Sequence, residues 1–464
     1  MTLSADLIRL IRAKEIEEAD FDRAALLVLD AAANFIGGTN CDEGKRFLGW
    51  ARATGQLTGD GILGEPARSA FLLGALAHVL EIDDLHRAAA LHPGCVVVPV
   101  LWGRQWTTGD PVDGKRALAA VLHGYEAAIR IGMAVGPTHY RIWHNTATCG
   151  PFGAAMAAAT LLQLDEGAAI DALGNAGTQA SGLWEFLAAG AMSKPLHAGH
   201  AAEAGLTAAE LAQHGITGAP AILEGDRGFF AAMCPDAEPD LVLGDPDDAW
   251  HLHATSIKPW PSCRHTHPVI DAAQELRQAL AKQSLRADAI ESIEIATYGV
   301  ALDRCDNPDP DSVLAAKFSL QHCAAAALVF DEVWFDAFEA DARARLAPLR
   351  ADCNVSVSQE IESSYPQNWG AEIRIELSGG ERLTAKREHT KGDPEFPLDA
   401  EALKAKATRL LAHGGVDRPE DFVDAVLAMP EGAPIPPLPQ PLGPATRTGR
   451  GRRPHAAAQS RVLS

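Results

Sequence analysis

From residue 1 to about 215 the chain is written largely in small and aliphatic residues, and no other feature limits its fold so strongly. ARSAFLLGALAHVLEIDD (67–84) is apolar nearly all round, which in a helix means burial on every side. AALLVLDAAANFIGG (24–38), GKRALAAVLHGYEAAIRIGMAVG (114–136) and PFGAAMAAATLLQLD (151–165) follow the same pattern. Alanine and glycine at this density let helix axes approach closely. The expectation is a packed helical domain, with Gly37-Gly38 as a helix end and the 67–84 helix running to about Asp84.

The texture changes near 265. PVIDAAQELRQALAKQS (268–284) reads as an amphipathic helix, and IESIEIATYG alternates like a strand. AKFSLQHCAAAALVFD (316–331) is helical again, and AEIRIELSGGERLTAKRE (371–388) reads as a hairpin turning at Gly379-Gly380. DAEALKAKATRLLAHGG (399–415) returns to helix. The fold class expected is therefore mainly α with an inserted α+β domain: a helical domain over 1–265 completed by 396–429, and a smaller α+β domain over 266–395. At 464 residues, two domains suit the length. The tail 430–464, rich in Pro, Gly and Arg, offers little to bury and is expected to be disordered.

A net charge of -21 argues against nucleic-acid binding. No run of 18 apolar residues free of charge suggests a membrane span, and the N-terminus lacks the pattern of a signal peptide. Eight cysteines with no C-x-x-C pair disfavour zinc ribbons and thioredoxin chemistry and fit a reducing, cytoplasmic setting. No G-x-S-x-G, no P-loop and no strand–G-x-G-x-x-G–helix unit appears.

Four segments carry ionisable groups in unusual company. HVLEIDDLHRAAALHPG packs His78, His86 and His92 with Glu81, Asp83 and Asp84. On a continuous helix His78 and Glu81 would face the same way, as a metal pair would. Acid/base chemistry, or a helix end with solvated acids, fits the same letters. In GAMSKPLHAGH, Ser193 can cap a helix whose first turn carries Pro195, with Lys194 and His197 on one face beside an anion-attracting N-terminus. IKPWPSCRHTHPVID crowds Lys258, Arg264, His265 and His267 at the domain boundary, either as an exposed basic loop or as a cleft wall. HNTATCGPFGAA places His144 before an Ala-rich helix; Cys149 has no base beside it that would make it a nucleophile.

Taken in order, EIDDLHRAAALHPG, WHNTATCGPFGAA with NAGTQASGL, MSKPLHAGHAAEAG, IKPWPSCRHTHPVID, and AKFSLQH with KGDPEFPL resemble the MmgE/PrpD family over about residues 5–425. That family includes 2-methylcitrate dehydratase, cis-aconitate decarboxylase and iminodisuccinate epimerase. The resemblance implies an α+β lid on a helical domain, a homodimer, a small polycarboxylate substrate, and neither metal nor organic cofactor. It implies catalytic roles for Glu81, Asp83, His92, His144, Lys194 and Lys258. Around them, His197, Arg264, His265 and His322 are expected to bind substrate, His322 aligning with a tyrosine of the decarboxylase-like members. Glu81 stands where an Asp is usual, Leu85 where a threonine is frequent, and one extra residue separates Asp84 from His92.

The chemistry implied is removal of a proton next to a carboxylate. Lys194 and Lys258 would offset the developing charge, His92 and His144 would serve as general acid and base, and Glu81 and Asp83 would orient a histidine. Dehydration of a hydroxy polycarboxylate is the first expectation, epimerisation the second, and decarboxylation the third because of His322. A non-catalytic polycarboxylate binder and a metal-dependent hydrolase are the readings from other classes.

Overall fold

The computed structural model describes residues 2–58, 61–62, 65–108, 112–247 and 249–442. Its buried hydrophobic residues fall into two large clusters. One runs from Leu7 to Ile257 and resumes from Leu398 to Leu442; the other runs from Trp260 to Ala385.

The first cluster is made by helices α1 (Glu18–Gly38), α2 (Pro66–His78), α3 (Gly114–Ala134), α4 (Asn145–Leu161), α5 (Glu166–Gly177) and α6 (Ser193–Gln213). Helix α6 is at its centre, against α2, α4 and α5. Its small residues make this possible. A Cβ on Gly199 would stand 2.6 Å from the Phe71 carbonyl of α2, and one on Gly205 would stand 2.6 Å from the Pro151 carbonyl of α4. Either substitution would push a neighbouring helix away, because interiors close-packed at this density have no slack.

The second cluster is α+β. Strands β1 (Ile290–Thr297), β2 (Cys353–Val357), β3 (Ala371–Leu377) and β4 (Arg382–Arg387) form one sheet in the order β2-β1-β3-β4. The β1–β2 pair is parallel and the other two pairs are antiparallel. Ile293 and Ile295 of β1, and Ile373 and Ile375 of β3, alternate inward as the period-2 pattern requires. Helix α7 (His267–Lys282) packs on β3 and β4 and on α8 (Leu320–Val329). The chain then returns to the first cluster through α9 (Ala400–His413), which packs on α1.

Two expectations fail here. The helix through 67–84 ends at His78, six residues early. The tail does not lose order at Pro430: Ile435, Leu438 and Leu442 are buried in the helical core, and the Trp102 indole donates to the Pro436 carbonyl at 2.9 Å. Prolines at 434, 436, 437, 439 and 441 suppress helix there, yet three aliphatic side chains suffice to anchor an irregular strap. Residues 443–464 lie outside the described residues. Among the described residues, no single helix is long and apolar enough to cross a membrane.

Candidate active site

The end of α2 creates the site. After His78 the backbone leaves the helix, and Glu81 adopts φ 61, a left-handed conformation that costs a non-glycine residue about 1–2 kcal/mol. His78 and Glu81 therefore do not stack one turn apart, as a continuous helix would have required. Glu81 instead reaches the first turn of α6, where the Lys194 ammonium donates to both its oxygens at 2.5 Å. Lys258 stands 3.7 Å from the same carboxylate and donates to the Glu81 carbonyl oxygen at 3.1 Å. Burial pushes the Glu81 acid up in pKa, but the two lysines outweigh it and bring it to about 2. Burial opposes the Lys194 charge, and Glu81 and Asp83 more than restore it. Ser193 is the first helical residue rather than the cap: Met192 precedes it and no side chain caps that end.

Asp83 and Asp84 are adjacent and unlike. Asp83 Oδ2 is 2.7 Å from His78 Nδ1 and 3.3 Å from His92 Nδ1, the latter without hydrogen-bond geometry. Its Oδ1 has no hydrogen-bond partner among the described residues and lies 3.8 Å from Lys258. Burial raises its acid, and His78 and His92 pull it well below the usual carboxylate range. Asp84 points elsewhere, accepting from the Gly94 N–H at 2.9 Å and the Tyr125 hydroxyl at 2.7 Å. Burial, helped by the neighbouring Asp30 and Asp83 and opposed by the Tyr125 and Gly94 hydrogen bonds, pushes it up to about 7. Asp84 holds the turn before Gly94; Asp83 faces the histidines.

Four imidazoles gather beside Asp83. The ring centroids of His78 and His92 are 4.7 Å apart, those of His78 and His144 5.6 Å, and His144 Nδ1 is 3.3 Å from His197 Nδ1. His144 sits just before α4, its N–H on the Gly182 carbonyl at 3.0 Å, and its ring lies 4.7 Å from Trp184. Burial, with Lys258 and His78 adding to it against Asp83, lowers His92 to about 4, and burial lowers His197 to about 4. Burial and the neighbouring cations take His144 well below its ordinary value. His92, His144 and His197 are therefore neutral at neutral pH and stand as bases in the free site.

His78, Asp83 and His92 also converge as a metal would need, with ligand atoms within 4.8 Å of one another. The surrounding charge opposes that use. A lysine ammonium lies 3.8 Å from the same carboxylate, and Lys194 holds the next one. A divalent ion would have to overcome two fixed cations in a dry site.

The opposite wall comes from the IKPWPSCRHTH segment, which is buried rather than an exposed basic loop. Arg264 grips both oxygens of Asp393 at 2.6 Å, and its Nη1 has no hydrogen-bond partner among the described residues. His265 bonds the Tyr298 hydroxyl at 2.6 Å and stacks on Trp369, centroids 4.4 Å apart and planes at 7°. Arg304 lies over Trp184 at 4.7 Å and over Tyr140 at 5.4 Å. A cavity is lined by Glu81, His92, Lys194, Lys258, Arg264, His265 and Arg304, with Tyr140, Trp184, Phe318 and Trp369 as its aromatic faces. Its space is about 30 Å³, room for roughly two waters. A roomier groove of about 710 Å³ lies between Arg277 and Leu349, but no histidine, cysteine or lysine lines it.

The structure thus brings together Glu81, Asp83, His92, His144, His197, Lys194, Lys258, Arg264 and His265. It excludes His322. That side chain bonds the Ala337 carbonyl at 2.9 Å, lies 3.4 Å from Arg350 Nη1 and packs on Phe338, within the second cluster. Helix α8 is buried nearly all round, and its His322 turns toward Phe338 and Arg350 rather than the cavity, a choice of face that position in a motif does not reveal. Sequence reasoning missed Arg304, Tyr140, Trp184 and Trp369. Only the company of Arg304 marks it, and that company is tertiary.

The profile of the MmgE/PrpD N-terminal domain matches residues 4–242, and that of the MmgE/PrpD C-terminal domain matches residues 260–428. The chain is 27% identical over 396 residues to a cis-aconitate decarboxylase of Aspergillus terreus, covering 80% of each protein. It is 26% identical over 441 residues to the cis-aconitate decarboxylase of Mus musculus, covering 89% of this chain and 88% of the relative. The cis-aconitate decarboxylase-like protein oryM of Aspergillus oryzae is 26% identical over 394 residues, covering 80% of this chain and 81% of the relative.

Proposed function

The chain belongs to the MmgE/PrpD family, and from that premise we propose that it is a lyase that moves a proton at the carbon next to a carboxylate of a small tricarboxylic acid. The observation that carries this reading is the meeting of cations with neutral imidazoles: buried Lys194, Lys258 and Arg264 and half-buried Arg304 line the space that His92 also lines, and His144 stands behind His92. Carbanion character beside a carboxylate builds negative charge on an already negative group, and fixed cations in a dry site are the means of offsetting it. His92 or His144 takes or returns the proton, a role typically worth about 10²–10⁴ in rate. Asp83 is hydrogen-bonded to His78, whose ring packs against both His92 and His144, and its carboxylate lies 3.3 Å from His92 Nδ1. The cavity has no room for a six-carbon acid as it stands, so the α+β part acts as a lid that opens to admit it.

Two outcomes share this intermediate. In decarboxylation of a cis-aconitate-like acid, the carbon–carboxylate bond breaks, carbon dioxide leaves, and the electron pair left on carbon takes a proton. In dehydration of a 2-methylcitrate-like acid, the base removes the proton and the hydroxyl leaves as water with a second proton. The relatives' names favour the first, and the position of His322 removes the reason for ranking it low. Epimerisation needs only the proton steps and comes after both.

The test is incubation of the purified chain with cis-aconitate, citrate and 2-methylcitrate, with and without a chelator, reading carbon dioxide release and new olefin. The proposal expects one of these signals, unaffected by the chelator and absent from Lys194→Ala. Turnover abolished by the chelator would point to the metal-dependent reading, and full activity in Lys194→Ala would overturn the assignment of Lys194.

A further inference from the structure

Three consecutive carbonyl oxygens in the loop after α2 are each taken by a different buried lysine. Lys317 donates to Leu80 at 2.9 Å, Lys258 to Glu81 at 3.1 Å, and Lys406 to Ile82 at 2.8 Å. These lysines come from distant parts of the chain: one follows Ile257 at the edge of the cleft, one precedes Phe318 of the cavity wall, and one is on α9. All three are buried. Burying an ammonium is expensive, so three around one short loop are not incidental packing.

The loop they surround needs holding. Glu81 is left-handed without being glycine, and its neighbours in sequence carry the site: its own carboxylate on Lys194, and Asp83 between His78 and His92. Rotation of the 81–82 peptide would carry both carboxylates away from their partners. Ammonium groups at these carbonyls also oppose the partial negative charge at the C-terminus of α2.

We infer that Lys317 and Lys406 are positioning residues which, with Lys258, fix the carbonyls of residues 80–82 and so hold Glu81 and Asp83 in register with Lys194 and the histidines. Neither lysine lines the cavity, so their action runs through the loop. Lys406 is also ion-paired to Asp30 at 2.6 Å, which ties the returning helix α9 to α1 at the same point.

The test uses the full chain and two variants, Lys317→Met and Lys406→Met/Asp30→Asn, the second neutralising the acid that Lys406 would leave unpaired. Lys404→Met, an exposed lysine on the same helix as Lys406, is the control. Amide hydrogen exchange of residues 79–84, read by mass spectrometry without any substrate, is expected to quicken about tenfold or more in both variants and not in the control. With the acid that proves to be turned over, kcat is expected to fall about tenfold with KM within about threefold, because orientation and not substrate contact is lost. Lys317→Arg, which keeps a donor for Leu80, is expected to recover most of both effects. Unchanged exchange at 79–84 in the folded variants would overturn the inference, as would a loss that Lys317→Arg fails to recover. If Lys317→Met does not fold, Lys317→Gln takes its place under the same criteria. If no acid is turned over by the parent chain, the proposed function has failed, and the exchange measurement decides this inference by itself.

Discussion

The two sides of the cavity are built from different parts of the fold and carry different chemistry. The floor, at the ends of α2, α4 and α6, holds two ionised acids and four imidazoles in direct contact with one another. The wall, from 258–265 with Arg304 and Trp369, holds guanidinium groups set over aromatic rings. Groups that move protons need fixed mutual distances, and tightly packed helix ends supply them. Groups that hold carboxylates need charge and a flat face, and they can ride on a part that moves. The floor is therefore expected to govern kcat and the wall KM, with Lys258 belonging to both through its reach to Glu81 and Asp83.

Breaking the floor should have the largest effect. Lys194→Ala leaves Glu81 buried without its main partner, so turnover should be lost and stability should drop by about 3–5 kcal/mol. Adding Glu81→Gln should return much of the stability and none of the turnover, separating charge balance from catalysis; thermal unfolding and product assays read the two. His92→Asn and His144→Asn should each lower kcat about 10²–10⁴-fold with little change in KM. On the wall, Arg304→Gln should raise KM about tenfold, the scale of one charge-assisted hydrogen bond, and leave kcat nearly unchanged. Smallest of all, His322→Gln should alter kcat/KM by less than about twofold, because its partners are Ala337 and Arg350; a large loss would return it to the site.

The buried histidines also predict how stability responds to acid. Burial lowers His86 to about 3 and His92, His123 and His197 to about 4, and takes His144, His265 and His267 well below their ordinary value. A histidine with a depressed native pKa binds its proton more readily when unfolded. Stability should therefore fall as pH drops from about 6.5 towards 4, each histidine contributing up to about 1.4 kcal/mol per pH unit. Asp84 works the other way, since its raised pKa of about 7 favours the native state as pH falls. Asp30 and Glu203 are raised as Asp84 is, but these three carboxyls stand against the seven histidines and the depressed acids Glu81, Asp83 and Asp393, which leaves the net direction downward, checked by urea unfolding at pH 7.0 and 5.5.

How much of this was legible in the sequence follows the same division. The floor was readable because its groups are close together along the chain: Glu81, Asp83 and His92 within twelve residues, and Lys194 beside His197. The alternation of Ile293 and Ile295, and the Gly-Gly turn between β3 and β4, made the sheet readable too. What stayed hidden depends on distant partners. The α2 helix reads as continuous to Asp84 by hydrophobicity alone, and only lysines far along the chain reveal why it stops at His78. Asp83 and Asp84 are the same letter, and only their partners, His78 for the one and Tyr125 with the Gly94 N–H for the other, tell them apart. Arg304 looks like any arginine on a short helix until Trp184 and Tyr140 are placed beneath it. The Pro-rich run after 430 hides three anchoring aliphatics in a composition that ordinarily signals disorder.

The central claim is that neutral imidazoles beside fixed cations make a C–H bond next to a carboxylate labile. Its most direct measurement is deuterium incorporation from D₂O into a panel of citrate-like acids, followed by NMR, for the parent chain and for His92→Asn/His144→Asn. The account predicts solvent deuterium at the carbon adjacent to a carboxylate in recovered substrate or product for the parent and none above background for the double variant. Equal incorporation in both proteins, or binding of the acids with no incorporation and no product in the parent, would contradict it.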